Sequence, residues 1–281
     1  MKREIGIVGA GVAGLDLGLY LQKHGVDATI ITDRSPTEYV SARLLNTVGH
    51  HFAAVDRERY LGVDHWPDPK DYYYYHDHFF NFPEPLHFRG DFDKQGRAVD
   101  YRVYLPLLMQ DFLERGGSIE YRHIKDDEIG KLAARFGLLV VSSGRGALGE
   151  TFAQRAEHTP FTQPQRRLFV GLYSGVRHPE RMNLTLSASP GHGEMIVIPT
   201  LTFGGLATAL LMENSPGGDL EDLASLSYEK RPQAFPANCL SEARKASSFN
   251  LQPDRYTTLR PHATAGLPAR GRRTYRSQYG R

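Results

Sequence analysis

Cysteine is nearly absent from this chain. Cys239 stands alone among 281 residues, so no internal disulfide can form, which suits a reducing compartment. Long apolar runs are missing too. None approaches the roughly 18 residues that a membrane span needs, and the N-terminal stretch is broken at once by Gly6, Gly9, Gly11 and Gly14, unlike the apolar core of a secretory signal. Together these absences lead us to expect a cytoplasmic protein with no membrane partner. A basic face is also lacking. Residues 234–281 hold eight Arg and one Lys against Glu242 and Asp254, a local charge of +7 in a chain of net charge +2, which leaves −5 on the preceding 233 residues. The body is acidic, so no nucleic-acid partner is expected. No cysteine or carboxylate stands at ligand spacing beside His50, His51, His76 and His78, and these histidines are not read as a metal site.

What the chain does carry begins at residue 4. Glu4 to Val8 reads as a short buried strand, and Gly9-x-Gly11-x-x-Gly14 then opens an apolar helical run through Leu15, Leu17, Leu19 and Leu21 to Gly25. In that spacing the first glycine makes a tight turn, the second lets backbone approach a pyrophosphate, and the third lets helix meet strand. A second strand, Asp27 to Thr32, completes a βαβ unit. Asp33 lies 19 residues after Gly14, where an acid usually meets a ribose, with Thr32 the alternative by one position.

Further along, the aromatic run 71–80 suits a strand and Leu86 to Arg89 its hairpin partner. Asp100 to Arg115 reads as a helix stopped by Gly116-Gly117, and Ser118–Ile124 and Leu138–Val141 read as strands. Between 168 and 213 four strand-like runs follow one another across Gly, Pro or polar turns, as in a meander. The pattern predicts an α/β fold in which a Rossmann-like nucleotide domain, 1–70 and 98–167, is interleaved with an antiparallel substrate sheet, 71–97 and 168–213. Residues 214–233 connect to a tail, 234–281, that has no period and few aliphatics and is expected not to pack.

Several stretches resemble one family, the oxygenase component of two-component, FAD-dependent styrene monooxygenases. They are Ile5–Gly11, Arg43-Leu44-Leu45-Asn46-Thr47-Val48-Gly49-His50-His51, the Tyr73, His76 and His78 set, Gly96 to Arg102, Leu138–Val141, and Ser189-Pro-Gly-His-Gly-Glu194 through Thr200. The resemblance covers residues 1 to about 235. It implies an FAD domain of the aromatic hydroxylase type, and a cofactor that arrives reduced, as a cosubstrate, from a separate NADH-dependent flavin reductase. It also implies epoxidation of styrene or a related aryl alkene with O2, with indole or another aromatic as the alternative substrate, and it leaves a homodimer open. On the same resemblance Asn46, Val48, His50, Tyr73 and His76 line the pocket between flavin and alkene. Arg43, Leu44 and Asn46 touch the flavin, with Gly9, Gly11, Gly14 and Asp33, and Arg97 and Arg102 meet FAD phosphates or adenine. Gly96 departs from the serine usual at that place. Family members also continue past 281 residues, with a Gly-Asp motif in their C-terminal part, and no Gly-Asp follows residue 235 here. The chain is therefore expected to be C-terminally truncated or frameshifted near residue 235, a non-catalytic FAD-binding remnant being the third reading.

Overall fold

The computed structural model describes residues 4–218, except 43, 45, 46, 145–147, 149–151, 153, 154, 159, 162, 174, 175 and 177; of 47, 48, 126 and 156 it describes the backbone alone. The tail 234–281, and residues 219–233 of the connecting segment, lie outside the described residues.

Two sheets organise the described chain. The smaller is wholly parallel, in the order β6 (Ser118–Tyr121), β2 (Ala28–Thr32), β1 (Ile5–Val8), β7 (Leu138–Val141). Helix α1 (Val12–Lys23) connects β1 to β2, the crossover that parallel neighbours require. It forms because Leu15 and Leu19, one turn apart, are fully buried with Gly18 between them. A Cβ at Gly18 would lie 2.9 Å from Ile30 Cδ1 and 3.0 Å from a ring carbon of Phe112, so the bare glycine sets how closely α1 approaches β2 and α4 (Tyr101–Glu114). These elements close one core of Ile7, Leu15, Leu19, Ile30, Val103, Leu108, Met109 and Phe112. Each fully buried aliphatic contributes about 1.5–3 kcal/mol relative to exposure.

The larger sheet has seven strands, in the order β3 (Thr47–His50), β5 (Leu86–Asp100), β4 (Tyr73–Phe80), β9 (Asn183–Ser189), β10 (Gly193–Thr202), β11 (Gly205–Asn214), β8 (Arg167–Tyr173). The four strand-like runs between 168 and 213 form β8 to β11, as the turn residues between them indicate. Two features differ from the boundaries read in the sequence. Thr47–His50 pairs with 97–100 and so joins the large sheet, although it falls within the 1–70 segment. Strand β5 does not stop at 97; it continues to Asp100, pairs in parallel with β10 at Ala98 and Val99, and runs without a loop into α4. Asp100 caps that helix, its carboxylate accepting from the Arg102 N–H at 2.9 Å. Helix α3 (Phe52–Leu61) follows β3 and ends on Gly62 at φ +73, a left-handed C-cap. The short helix α2 (Pro36–Ser41) starts with a capping box between Ser35 and Glu38, and α5 (Ile129–Arg135) precedes β7.

Candidate functional site

The carboxyl end of β1 turns through Gly9 at φ +109, a conformation that side chains disfavour. A Cβ at Gly14 would lie 2.0 Å from the Gly9 carbonyl oxygen, so the helix can begin this close to the turn only with glycine there. At Gly11 a Cβ would meet nothing within 4 Å. Gly11 is also the N-cap of α1 and supplies no side-chain hydrogen bond to the first turn, whose N–H groups therefore face that open space. A pyrophosphate fits such a cradle by charge and by shape. Beyond β2, Thr32 is buried while Asp33 is exposed, so Asp33 is the one of the two free to meet a ribose.

A second constellation lies on the large sheet. Between Tyr73 and Tyr75 the β4–β5 register shifts, so that Tyr74 alone stands opposite residues 92–95 of β5. The bulge brings Phe92 to 4.5 Å from the His76 ring and 6.0 Å from Tyr73. His51, the N-cap of α3, completes the group at 5.7 Å from both His76 and Phe92 and 6.3 Å from Tyr73. None of the four carries a charge when the histidines are neutral, and burial, with His51 and His78 nearby, pulls His76 down to about 4. Tyr73 Oη and His76 Nε2 are buried without a hydrogen-bond partner among the described residues. Burial also drives the Tyr73 hydroxyl well above its ordinary range. Tyr73 belongs to one buried apolar cluster with Leu172, Leu184, Ile198 and Ala209, against which Leu44 and Phe92 pack, so the group has an apolar side. Flat apolar molecules suit a place of this kind.

His50 does not join that group. Its ring turns the other way, edge-on to Tyr104 at 4.8 Å, and its Nδ1 lies 2.6 Å from Glu58 Oε1. Adjacent residues at a strand end face opposite sides, so His51 and not His50 reaches Tyr73 and His76. Burial and the Arg97 charge lower His50 to about 4, against a smaller upward pull from Asp16. Arg97, expected from the resemblance to meet FAD, has the following partners within the protein. It is fully buried and bound to Glu58, to Asp64 at 2.6 Å, to the Trp66 carbonyl and to Tyr72, as an interior guanidinium must be. Arg102 is likewise buried and paired with Asp100 at 2.6 Å. Val48 pairs with Val99 through its backbone. Arg43 and Asn46 lie outside the described residues. His192 sits in the β9–β10 turn beside Gly191 at φ +80. Sequence reading missed Phe92, whose role depends on a bulge, and Glu58, which looks like an ordinary polar helix residue.

Comparison with known proteins adds the following. The family described as "Styrene monooxygenase A putative substrate binding domain" matches residues 144–247. Styrene monooxygenase StyA of Pseudomonas fluorescens is 47% identical over 245 residues, 87% of this chain, and StyA of Pseudomonas sp is 48% identical over 235 residues, 84% of this chain. The aligned regions span 59% and 57% of those relatives' own lengths. Among solved structures, a mutant of PqsL from P. aeruginosa superposes with a TM-score of 0.58 at 14% identity, over 92% of this chain and 73% of that one. Flavin-dependent brominase Bmp2 gives 0.54 at 17%, over 87% and 61%. At such identities these two show the fold alone.

Proposed function

Because the chain is related to the styrene monooxygenases across most of its own length, while its match spans less than two thirds of theirs, we propose that it is the oxygenase of a two-component system that epoxidises styrene or related aryl alkenes. The observation that carries the reading is the uncharged group of Tyr73, His76, Phe92 and His51 with its apolar side, in one chain with a pyrophosphate cradle. When bound, reduced FAD supplies the electrons that activate O2, so that one oxygen atom enters the vinyl double bond and the other leaves as water. The protein supplies position and dryness. Gly11 leaves the α1 N–H groups bare for the pyrophosphate, and the aromatic rings hold the arene by stacking and exclude water. A partner reductase that uses NADH and a cytoplasmic location belong to the same reading. Indole is not favoured as the substrate, since both curated relatives are styrene monooxygenases.

The test is to supply the protein with styrene, O2, NADH, FAD and a flavin reductase and to measure styrene oxide by chiral chromatography. Formation of styrene oxide that depends on the 281-residue chain is expected. If the chain leaves reduced flavin to be consumed without any epoxide, and binds no FAD by fluorescence titration, the reading is wrong.

A further inference from the structure

Glu58 of α3 is 2% exposed and is surrounded by donors: His50 Nδ1 at 2.6 Å, the Tyr104 hydroxyl at 3.0 Å and the Arg97 guanidinium. An ionised carboxylate only accepts, so each of those contacts has its proton on the partner, and His50 carries one on Nδ1. The charge balance decides the other nitrogen. Glu58 and Asp64 are matched by Arg97 and Arg59. A second proton on His50 would thus be a surplus positive charge in a buried site, across the β3–β5 pairing from Arg97 itself. The remaining groups that face His50 are Tyr101 and Tyr104 of α4, both held neutral by burial, and Asp16 of α1, whose carboxyl burial raises more than His50 and Arg57 together lower it. Asp16 Oδ1 is itself buried without a partner among the described residues, which gives it little tendency to hold a carboxylate charge against His50.

We propose that Glu58 is a positioning residue which, with Arg97 and Tyr104, fixes His50 as the Nδ1–H tautomer and leaves Nε2 as a hydrogen-bond acceptor. The low proton affinity of His50 agrees with a bare Nε2 at neutral pH. What the tautomer does rests on the epoxidation reading. A bare nitrogen on the Tyr104 and Asp16 side of β3, away from the Tyr73 group, can orient a donor there, but it cannot act as an acid that hastens release of hydrogen peroxide from O2 and reduced flavin. Coupling of flavin oxidation to epoxide is the property that Glu58 would protect.

The test uses the full chain labelled with 15N. Long-range correlations of the histidine ring nitrogens are recorded at pH 7, and His50→Asn identifies the His50 signals by their loss. A protonated Nδ1 and a bare Nε2 are expected; protonation at Nε2, alone or with Nδ1, overturns the proposal without any variant of Glu58. In Glu58→Gln, whose amide donates as well as accepts, Nε2 should gain proton occupancy and hydrogen peroxide per reduced FAD should rise about threefold, with KM for styrene within about twofold. Tyr104→Phe keeps the carboxylate and should keep the tautomer. If Glu58→Gln changes neither the tautomer nor the peroxide yield, Glu58 does not position His50. Should no epoxide form even in the unaltered protein, the nitrogen signals still decide the tautomer.

Discussion

At the scale of single residues, two neighbours at the end of one short strand went to opposite sides. His50 and His51 are indistinguishable by composition, and the resemblance assigned the pocket to His50. The buried acceptor Glu58 turns His50 away and leaves His51 with Tyr73, His76 and Phe92. Glu58 stands eight residues from His50 and 39 from Arg97, so no local pattern could have shown the three meeting. The strand that carries Tyr73 and His76 was legible from its run of aromatics, whereas a pocket role for the two was implied by the family resemblance alone. Gly96 shows what a missing side chain does here. A Cβ at this position would lie 2.8 Å from the Tyr73 ring and 2.9 Å from the His50 carbonyl oxygen. Gly96→Ser therefore forces the Tyr73 ring to move, and the overpacking should destabilise the protein by about 1–3 kcal/mol. A lowered urea midpoint with an altered ratio of styrene to indole turnover is the expected result. An unchanged midpoint would show that the ring swings aside at no cost.

At the scale of elements, the β1–α1 turn separates folding from binding. Gly14→Ala places a Cβ against a backbone oxygen that cannot yield without unwinding the first turn, so both stability and FAD affinity should fall, the former by more than about 2 kcal/mol. Gly11→Ala adds a methyl where the protein has nothing within 4 Å. Its thermal midpoint should stay within a few degrees while FAD affinity, read by quenching of flavin fluorescence, drops at least about tenfold. Equal FAD affinity in Gly11→Ala and the parent would remove the cradle from the site. Most elements could be read in advance because each has a strong apolar run or a turn-residue stop: β1, α1 and β2 from the fingerprint, and β8 to β11 from the Gly, Pro and polar turns between them. Strand β3 could not, since four residues carry no period and only the free edge of β5 makes them a strand.

At the scale of the whole molecule, three histidines, His50 buried and His76 and His178 half-buried, set the response to acid. Burial lowers His50, His76 and His178 to about 4, against about 6.5 in an unfolded chain. Between those values the unfolded state binds protons that the folded state does not, so stability is full above pH 6.5 and is lost as pH falls toward 4. The two most enclosed, His50 and His178, should each account for about 2 kcal/mol between pH 7 and 5. Asp71, whose carboxyl is held up to about 6 by burial and Asp68, opposes them in part. Urea midpoints measured at pH 7, 6 and 5 should decline, and a flat series would mean that the histidines open to water without unfolding. The layered α/β plan was legible from the order of signals along the chain; the interlocking of the layers was not, because it depends on β5 passing from one to the other. That passage has a mechanical side. The lower half of β5 and α4 form one continuous piece, anchored by β3, β10 and the nucleotide-side core, whereas the upper half beyond the bulge at 92–95 has β4 as its one strand partner among the described residues. The bulge is then a boundary between cooperative units, and amide hydrogen exchange should reveal it as a step: Ala98, Val99 and Val103 exchanging together only at the slowest rate, and Phe88 and Arg89 exchanging through a separate, cheaper opening of the hairpin.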